Sequence, residues 1–195
     1  MSTELKVSDE KRYGPNDSNV GSLIDRIGKI NWLSAAAQTE NRVSAEAAID
    51  QFLLSFGMEG YSIHWFDKNE LAPFVERMTL RESPLWNRLE EIPQQIRDKA
   101  EETGRTAIVL KISENTPTNV FSLAFDAAFR EFEENGEKVI QAAAGAMMYI
   151  AALACAWETL ADLDGWKANP FLPLIQVLEA GHWPLGLYGG KFYAV

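Results

Sequence analysis

The sequence feature that most constrains the fold is an uncharged apolar stretch at residues 139–157. As an α-helix, at about 1.5 Å per residue, this stretch would be roughly 28 Å long, which is close to the thickness of a bilayer core. A helix that is apolar on all sides belongs either at the centre of a soluble helical domain or in a membrane. The two environments imply different classes of protein.

The composition and the flanks of this stretch favour the core of a soluble domain. Alanine is its most frequent residue, and the alanine side chain is only weakly hydrophobic. Acidic residues flank the stretch on both sides, whereas membrane helices usually have Lys or Arg at their cytoplasmic end. We therefore predict a buried central helix. Two alternatives stay open: an oligomer interface, and insertion of 139–157 into a membrane at low pH, when the flanking carboxylates become protonated.

The 195-residue chain has the composition of one soluble globular domain, with 47% hydrophobic and 24% charged residues. Its single cysteine, Cys155, excludes an intrachain disulfide and a cysteine-rich zinc site. Because Cys155 lies within the apolar stretch, we expect its thiol to be neutral and unreactive. Most of the six tryptophans are predicted to belong to the core.

Residues 1–18 are polar and lack the apolar periodicity of a helix. They contain neither the apolar core of a signal peptide nor the Arg-rich pattern of a transit peptide. The sequence therefore predicts a flexible N-terminal tail over 1–18, a single mainly helical domain over 19–195, and a cytoplasmic location.

Apolar residues at spacings of three and four predict that most of the domain is helical. Ser44 is placed to cap a helix that Gly57 ends, and Pro93 is expected to kink or divide a later helix. The predicted helices cover residues 20–33, 44–57, 67–78, 83–104, 118–135, 137–163 and 169–181.

The helix that begins near Pro117 carries four phenylalanines on one side, which are Phe121, Phe125, Phe129 and Phe132. Asn135-Gly136 ends this helix, so that 118–163 should form a helical hairpin.

Four short segments predict strands, and the first of them, 61–66, could instead be an extended connection. Residues 61–66 alternate between aromatic or aliphatic and polar side chains, and Thr106–Ile112 is rich in β-branched residues. Two apolar runs around Gly189-Gly190 predict a C-terminal hairpin, which should pack on the helices or pair with Thr106–Ile112. The predicted fold class is mainly α (α+β): one helical domain around a central apolar helix, with a small antiparallel sheet that includes this hairpin.

The net charge of −10 argues against direct binding to nucleic acid, because a phosphate backbone attracts basic proteins. The densest acidic segment is 126–137. Such a segment is either a solvated helix face or a docking surface for a basic partner protein.

The candidate binding residues are His64, Trp65 and Asp67. A histidine three residues before an aspartate could form an acid–base pair or half of a metal site. The structural alternative is that Asp67 caps the next helix and that Glu70 completes a capping box. His182, which follows a predicted helix end, is expected to interact with the last carbonyls of that helix.

The sequence contains no phosphate-binding glycine loop, no zincin spacing and no complete calcium loop. We therefore predict no catalytic residue, no cofactor and no metal site. The preferred hypothesis is a non-catalytic cytoplasmic protein that binds another protein, as an acidic inhibitor or immunity-type module does. Homo-oligomers are compatible with it, and no membrane binding is expected under neutral conditions. The alternatives are a small-ligand binder or enzyme with a pocket near His64, Trp65 and Asp67, and conditional membrane insertion through 139–157.

Overall fold

The computed structural model describes residues 17–36, 38–77 and 84–195, and it is mainly α with a small sheet, as the sequence predicted. Seven helices and three strands occur in this part of the chain. The helices are α1 (Asp17–Gly28), α2 (Arg42–Ser55), α3 (Lys68–Arg77), α4 (Pro84–Glu102), α5 (Thr106–Phe132), α6 (Glu137–Glu158) and α7 (Leu172–Glu179). The strands are β1 (Ser62–Trp65), β2 (Pro184–Tyr188) and β3 (Lys191–Ala194).

The core is built around α6, which contains the apolar stretch of the sequence. Helix α5 packs along α6, and a single 3-10 turn followed by Gly136 connects the two. Small side chains such as Ala127 on α5 and Ala144 on α6 are fully or almost fully buried, so the two backbones approach closely. The buried side chains of α6 are Val139, Ile140, Ala143, Ala144, Met147, Ile150, Ala151, Leu153, Ala154, Cys155, Ala156 and Trp157.

The prediction of a strand at Thr106–Ile112 is wrong, because these residues form the first two turns of α5. Of them only Val109 is buried, so the segment lacks the alternation of a half-buried strand. Arg105, just before the helix, donates a hydrogen bond of 2.7 Å to the carbonyl of Thr159 and another to Asp162. These contacts fix the start of α5 against the end of α6. The weak β preference of Thr106, Ile108 and Val109 is overridden by the helix in which they lie.

The sheet is mixed rather than antiparallel, with the strand order β1-β3-β2. Strands β2 and β3 form the predicted antiparallel hairpin, in which Gly189 and Gly190 both have positive φ. The third strand is β1, which pairs with β3 in parallel, with His64 opposite Tyr193. Because β1 and β3 are far apart in the chain, no turn determines their relative direction, and the sequence could not indicate it.

Several helix ends differ from the predictions. Helix α2 begins at Arg42, and Ser44 donates a hydrogen bond of 2.8 Å to the carbonyl of Asn41 from within the first turn instead of capping it. Gly57, with φ 66°, follows the end of α2 as predicted. Pro93 does not divide α4, and Pro117 lies inside α5 instead of at its start.

The remaining boundary predictions fall partly outside the described residues. Met78 and Ser83, predicted at helix ends, are not among them, and neither are residues 1–16 of the predicted tail. The last two residues of that tail, 17 and 18, belong to α1. Helix α6 ends at Glu158, five residues before the predicted end of the hairpin at 163.

Candidate functional site

The alternation of β1 separates the residues that the sequence grouped into one candidate site. Consecutive side chains of a strand point to opposite faces of the sheet. His64 is therefore on the face that carries Tyr193, and Trp65 is on the face towards His182. Asp67 follows the strand, immediately before α3.

His64 lines an open hollow of about 490 Å³ between the sheet and α3. Neither Trp65 nor Asp67 lines it. We call this feature the aromatic hollow; its lining residues are His64, Phe66, Asn69, Glu70, Pro73, Phe74, Tyr188 and Tyr193.

The rings of the aromatic hollow pack against one another around Tyr193. The Phe66 ring stacks on Tyr193 with a centroid distance of 5.0 Å and an interplanar angle of 17°. Phe74 lies 4.8 Å from Tyr193 and 4.4 Å from Phe66, and both phenylalanines are buried. Tyr188 and His64 are exposed at the edge, 5.9 Å from Phe74 and 5.4 Å from Tyr193. The floor is thus apolar and fixed, and the edge consists of amphipathic rings.

The first turn of α3 supplies the polar edge of the hollow, with Asn69 and Glu70. The Asp67 backbone N–H donates to Glu70 Oε2 at 3.5 Å, and the Glu70 N–H donates to the Asp67 carbonyl at 3.0 Å. The first of these contacts is the reciprocal half of a capping box, as the spacing suggested. Asp67 therefore helps to start α3 and does not pair with His64 across the hollow.

On the opposite face of the sheet, Trp65 connects β1 to α2. Its indole Nε1–H donates to Glu46 Oε1 at 2.7 Å, and the Arg42 guanidinium lies 4.9 Å from its ring centroid. The ring of His182 lies 4.7 Å from the Trp65 ring. Trp65 is a half-buried packing residue on this side of the molecule, and the structure does not bring it together with His64.

His182 is fully buried and bridges two backbone segments. Its Nδ1 lies 3.1 Å from the carbonyl oxygen of Val195, and its Nε2 lies 2.8 Å from the carbonyl oxygen of Glu40. The sequence predicted contacts with the carbonyls at the end of the preceding helix, and the structure shows more distant partners instead. A neutral imidazole can donate to one of these oxygens, and an imidazolium can donate to both.

Cys155 lies in the core, where burial raises the pKa of its thiol to about 12. At neutral pH this thiol is protonated, and a protonated thiol is a poor nucleophile. In the described part of the chain, no group of three or more His, Cys, Asp or Glu side chains is arranged to hold a metal ion.

Helix α6 is the one helix among the described residues that is long and apolar enough to cross a membrane. Of its most apolar window, 61% is buried inside the fold. Burial of this extent is what a core helix of a soluble protein shows, and it supports the prediction of a buried central helix over an exposed one.

The structure also shows that most of the phenylalanines predicted on one side of a helix lie at the surface of α5. Phe121 and Phe129 are 46% and 45% exposed, and Phe125 between them is half-buried. The rings of Phe121 and Phe125 are 5.6 Å apart. Only Phe132, the last of the four phenylalanines, is fully buried. We call Phe121, Phe125 and Phe129, together with the exposed Leu110, the α5 stripe.

Comparisons with protein-family models, with curated proteins and with solved structures find no match for this chain. Evidence on function therefore comes from the chain's own surfaces. Two of them combine exposed aromatic rings with acidic groups, namely the α5 stripe and the aromatic hollow.

Proposed function

We propose that the protein is a non-catalytic cytoplasmic protein that binds another protein through the α5 stripe. The observation that carries this proposal is the exposure of Phe121 and Phe129, each almost half accessible, on one side of a long helix. Burying a phenylalanine side chain contributes about 1.5–3 kcal/mol, so a partner that covers both rings gains a large part of a binding free energy. Exposed aromatic patches with a polar border are typical of protein interaction sites.

Acidic side chains beside the stripe support a basic partner. Asp126 is three residues before Phe129, which makes it a neighbour on the helix surface, and Glu133 begins the 3-10 turn just after α5. Both are exposed. Glu114 lies two turns before Phe121. The whole chain carries a net charge of −10. A partner with an apolar groove bordered by Lys or Arg would match this arrangement and would be attracted over a distance.

The stripe is held on a rigid support. The neighbouring side of α5 is buried and carries small residues such as Ala124, Ala127 and Ala128, and the helix packs along α6. Because the helix is already formed, binding would require little ordering of the backbone, which lowers its entropic cost. The burial of α6 supports a soluble protein, which a cytoplasmic location requires.

Site-specific photo-crosslinking tests the proposal. A photoreactive phenylalanine analogue is placed at Phe121, at Phe129 and, as a control, at Val43 on α2, which is 82% exposed. We expect the first two positions to capture one stoichiometric partner in the producing cells and position 43 not to capture it. With the purified partner, F129D should weaken binding by about tenfold or more, V43D should not, and added salt should weaken it further.

Three results would refute this function. The stripe positions and position 43 could capture the same proteins, or no protein at all. F129D could bind the purified partner as well as the unmodified chain does. Finally, a homodimer that buries the stripe, detected by light scattering, would show that the surface serves self-association.

A further inference from the structure

We infer that the aromatic hollow is a binding site for a quaternary ammonium group. The inference does not depend on the α5 stripe, because the hollow is formed by the sheet and α3. Its ligand class follows from the rings that line the hollow, from the charge at its edge and from its openness to water.

Rings from several elements converge in the hollow. His64 comes from β1, Phe74 from α3, Tyr188 from β2 and Tyr193 from β3, and neighbouring centroids are 4.8–5.9 Å apart. Tyr188 is 37% exposed and Tyr193 is half-buried, so that solvent reaches both tyrosines. The face of an aromatic ring carries partial negative charge and attracts a cation placed within about 6 Å of its centroid.

The charge at the edge of the hollow has the matching sign. Glu70 is the acidic group in the lining, and no Lys or Arg of the described residues contributes to it. Lys68 pairs with Glu131 (Nζ–Oε1 2.5 Å), and Lys191 lies opposite Tyr188 across the hairpin but is not among the lining residues. Within the lining an anion would therefore meet Glu70 and no Lys or Arg, whereas a cation is attracted by Glu70 and by the faces of the rings.

The type of cation follows from the apolar floor of the hollow. A primary ammonium brings three N–H donors, each of which needs an acceptor when it leaves water. Asn69, Glu70 and Tyr188 offer acceptors at the edge of the hollow, whereas Phe66 and Phe74 on the floor accept none. A quaternary ammonium has no N–H to satisfy and presents methyl groups to the rings. The volume of about 490 Å³ lies within the range of small-ligand pockets, roughly 300–1,000 Å³.

The decisive comparison is between choline and 3,3-dimethylbutan-1-ol, which has the same shape without the charge. Binding to the full chain is measured by calorimetry and by amide shifts in NMR spectra. We expect choline to bind about tenfold or more tightly than the neutral isostere, with shifts at Tyr188 and Tyr193. E70Q should weaken choline binding several-fold, and Y188A should abolish it.

A matched control is available in Tyr149 on α6, which is 36% exposed, almost the same as Tyr188. Y149A should leave choline binding unchanged. If Y188A does not fold, Y188L keeps an apolar side chain there but removes the ring, and it should still lose choline binding. A trimethyllysine peptide, compared with its unmodified lysine form, tests whether the group comes from a protein. Tighter binding of that peptide than of choline would assign the site to a modified protein, and equal or weaker binding would assign it to a small molecule.

Equal binding of choline and its neutral isostere would overturn the inference, and so would the absence of shifts around the hollow with every ammonium probe. Loss of choline binding in Y149A but not in Y188A would also overturn it, because the bound cation would then lie elsewhere on the protein.

Discussion

Gly181, which follows α7, is expected to accept a side chain poorly. Its φ is 84°, and a Cβ atom there would lie 2.6 Å from the backbone nitrogen of Ala35 and 2.6 Å from Ser34 Oγ. The serine side chain could rotate away, but the backbone of Ala35 cannot move without cost. The Ala35 N–H donates to the Gly181 carbonyl at 3.1 Å, and this hydrogen bond joins the segment after α1 to the end of α7.

The cost of Gly181→Ala follows from three effects. The left-handed conformation costs about 1–2 kcal/mol for a residue with a Cβ. The steric overlap costs about 1–3 kcal/mol, and loss of the hydrogen bond to Ala35 costs about 0.5–1.5 kcal/mol. We therefore expect the free energy of unfolding to fall by about 3–6 kcal/mol, a large fraction of the stability of a domain this size.

The assay is urea unfolding followed by the fluorescence of the six tryptophans. The control is Gly189→Ala in the hairpin, because Gly189 also has a positive φ, 55°, but nothing lies within 4 Å of a Cβ there. This variant should lose only about 1–2 kcal/mol, the conformational cost alone. If Gly181→Ala is no more destabilised than Gly189→Ala, the close approach between Gly181 and Ala35 does not hold in solution.

Four further outcomes are expected. His182→Ala should lose about 3 kcal/mol in urea unfolding, because it removes a fully buried ring and its contact with the Glu40 carbonyl, while the Val195 oxygen still accepts from the Trp183 N–H; a loss below about 1 kcal/mol would contradict this. A thiol reagent should modify Cys155 only in urea, because its folded pKa of about 12 keeps the thiol protonated. Because the pKa of Cys155 is raised in the folded state, its protonated thiol contributes fully to stability below the ordinary pKa of 9.0, and this contribution is lost as the pH rises towards about 12. The free energy of unfolding should therefore fall less steeply over this pH range in Cys155→Ala than in the unmodified chain. Liposomes mixed with the protein should not leak at neutral or acidic pH, because α6 is mostly buried. Leakage on acidification would instead support conditional insertion of α6.

The elements that the sequence predicted well are those with local signals. The apolar periodicity of α2 and the glycine at its end, the apolar length of α6, and the Gly189-Gly190 hairpin all depend on residues within a few positions of one another. The segment Thr106–Ile112 was predicted wrongly because β preference is weak and α5 packs along α6 over its length. The parallel pairing of β1 with β3 depends on contacts between distant parts of the chain, which no local pattern encodes.

The candidate site was only partly accessible to sequence reasoning. His64 does line a hollow, but the same alternation that indicated a strand already implied that Trp65 points to the opposite face. The tyrosines that complete the hollow come from the C-terminal hairpin, and only the register of His64 with Tyr193 brings them next to β1. A sequence pattern could indicate that the hairpin exists, but not which strand it would join.

The phenylalanines of α5 show why apolar spacing alone does not identify the buried side of a helix. Two sides of α5 are apolar enough to pack against α6. One carries Phe121, Phe125 and Phe129, and the other carries Ala124, Ala127 and Ala128. Because α6 is itself rich in alanine, the alanine side allows the closer approach of the two backbones and the denser packing. Phe121 and Phe129 are then left largely exposed, while Phe125 between them packs partly against the core. Large aromatic side chains left exposed favour an interaction outside the core, and this is the physical basis for proposing a partner for the α5 stripe.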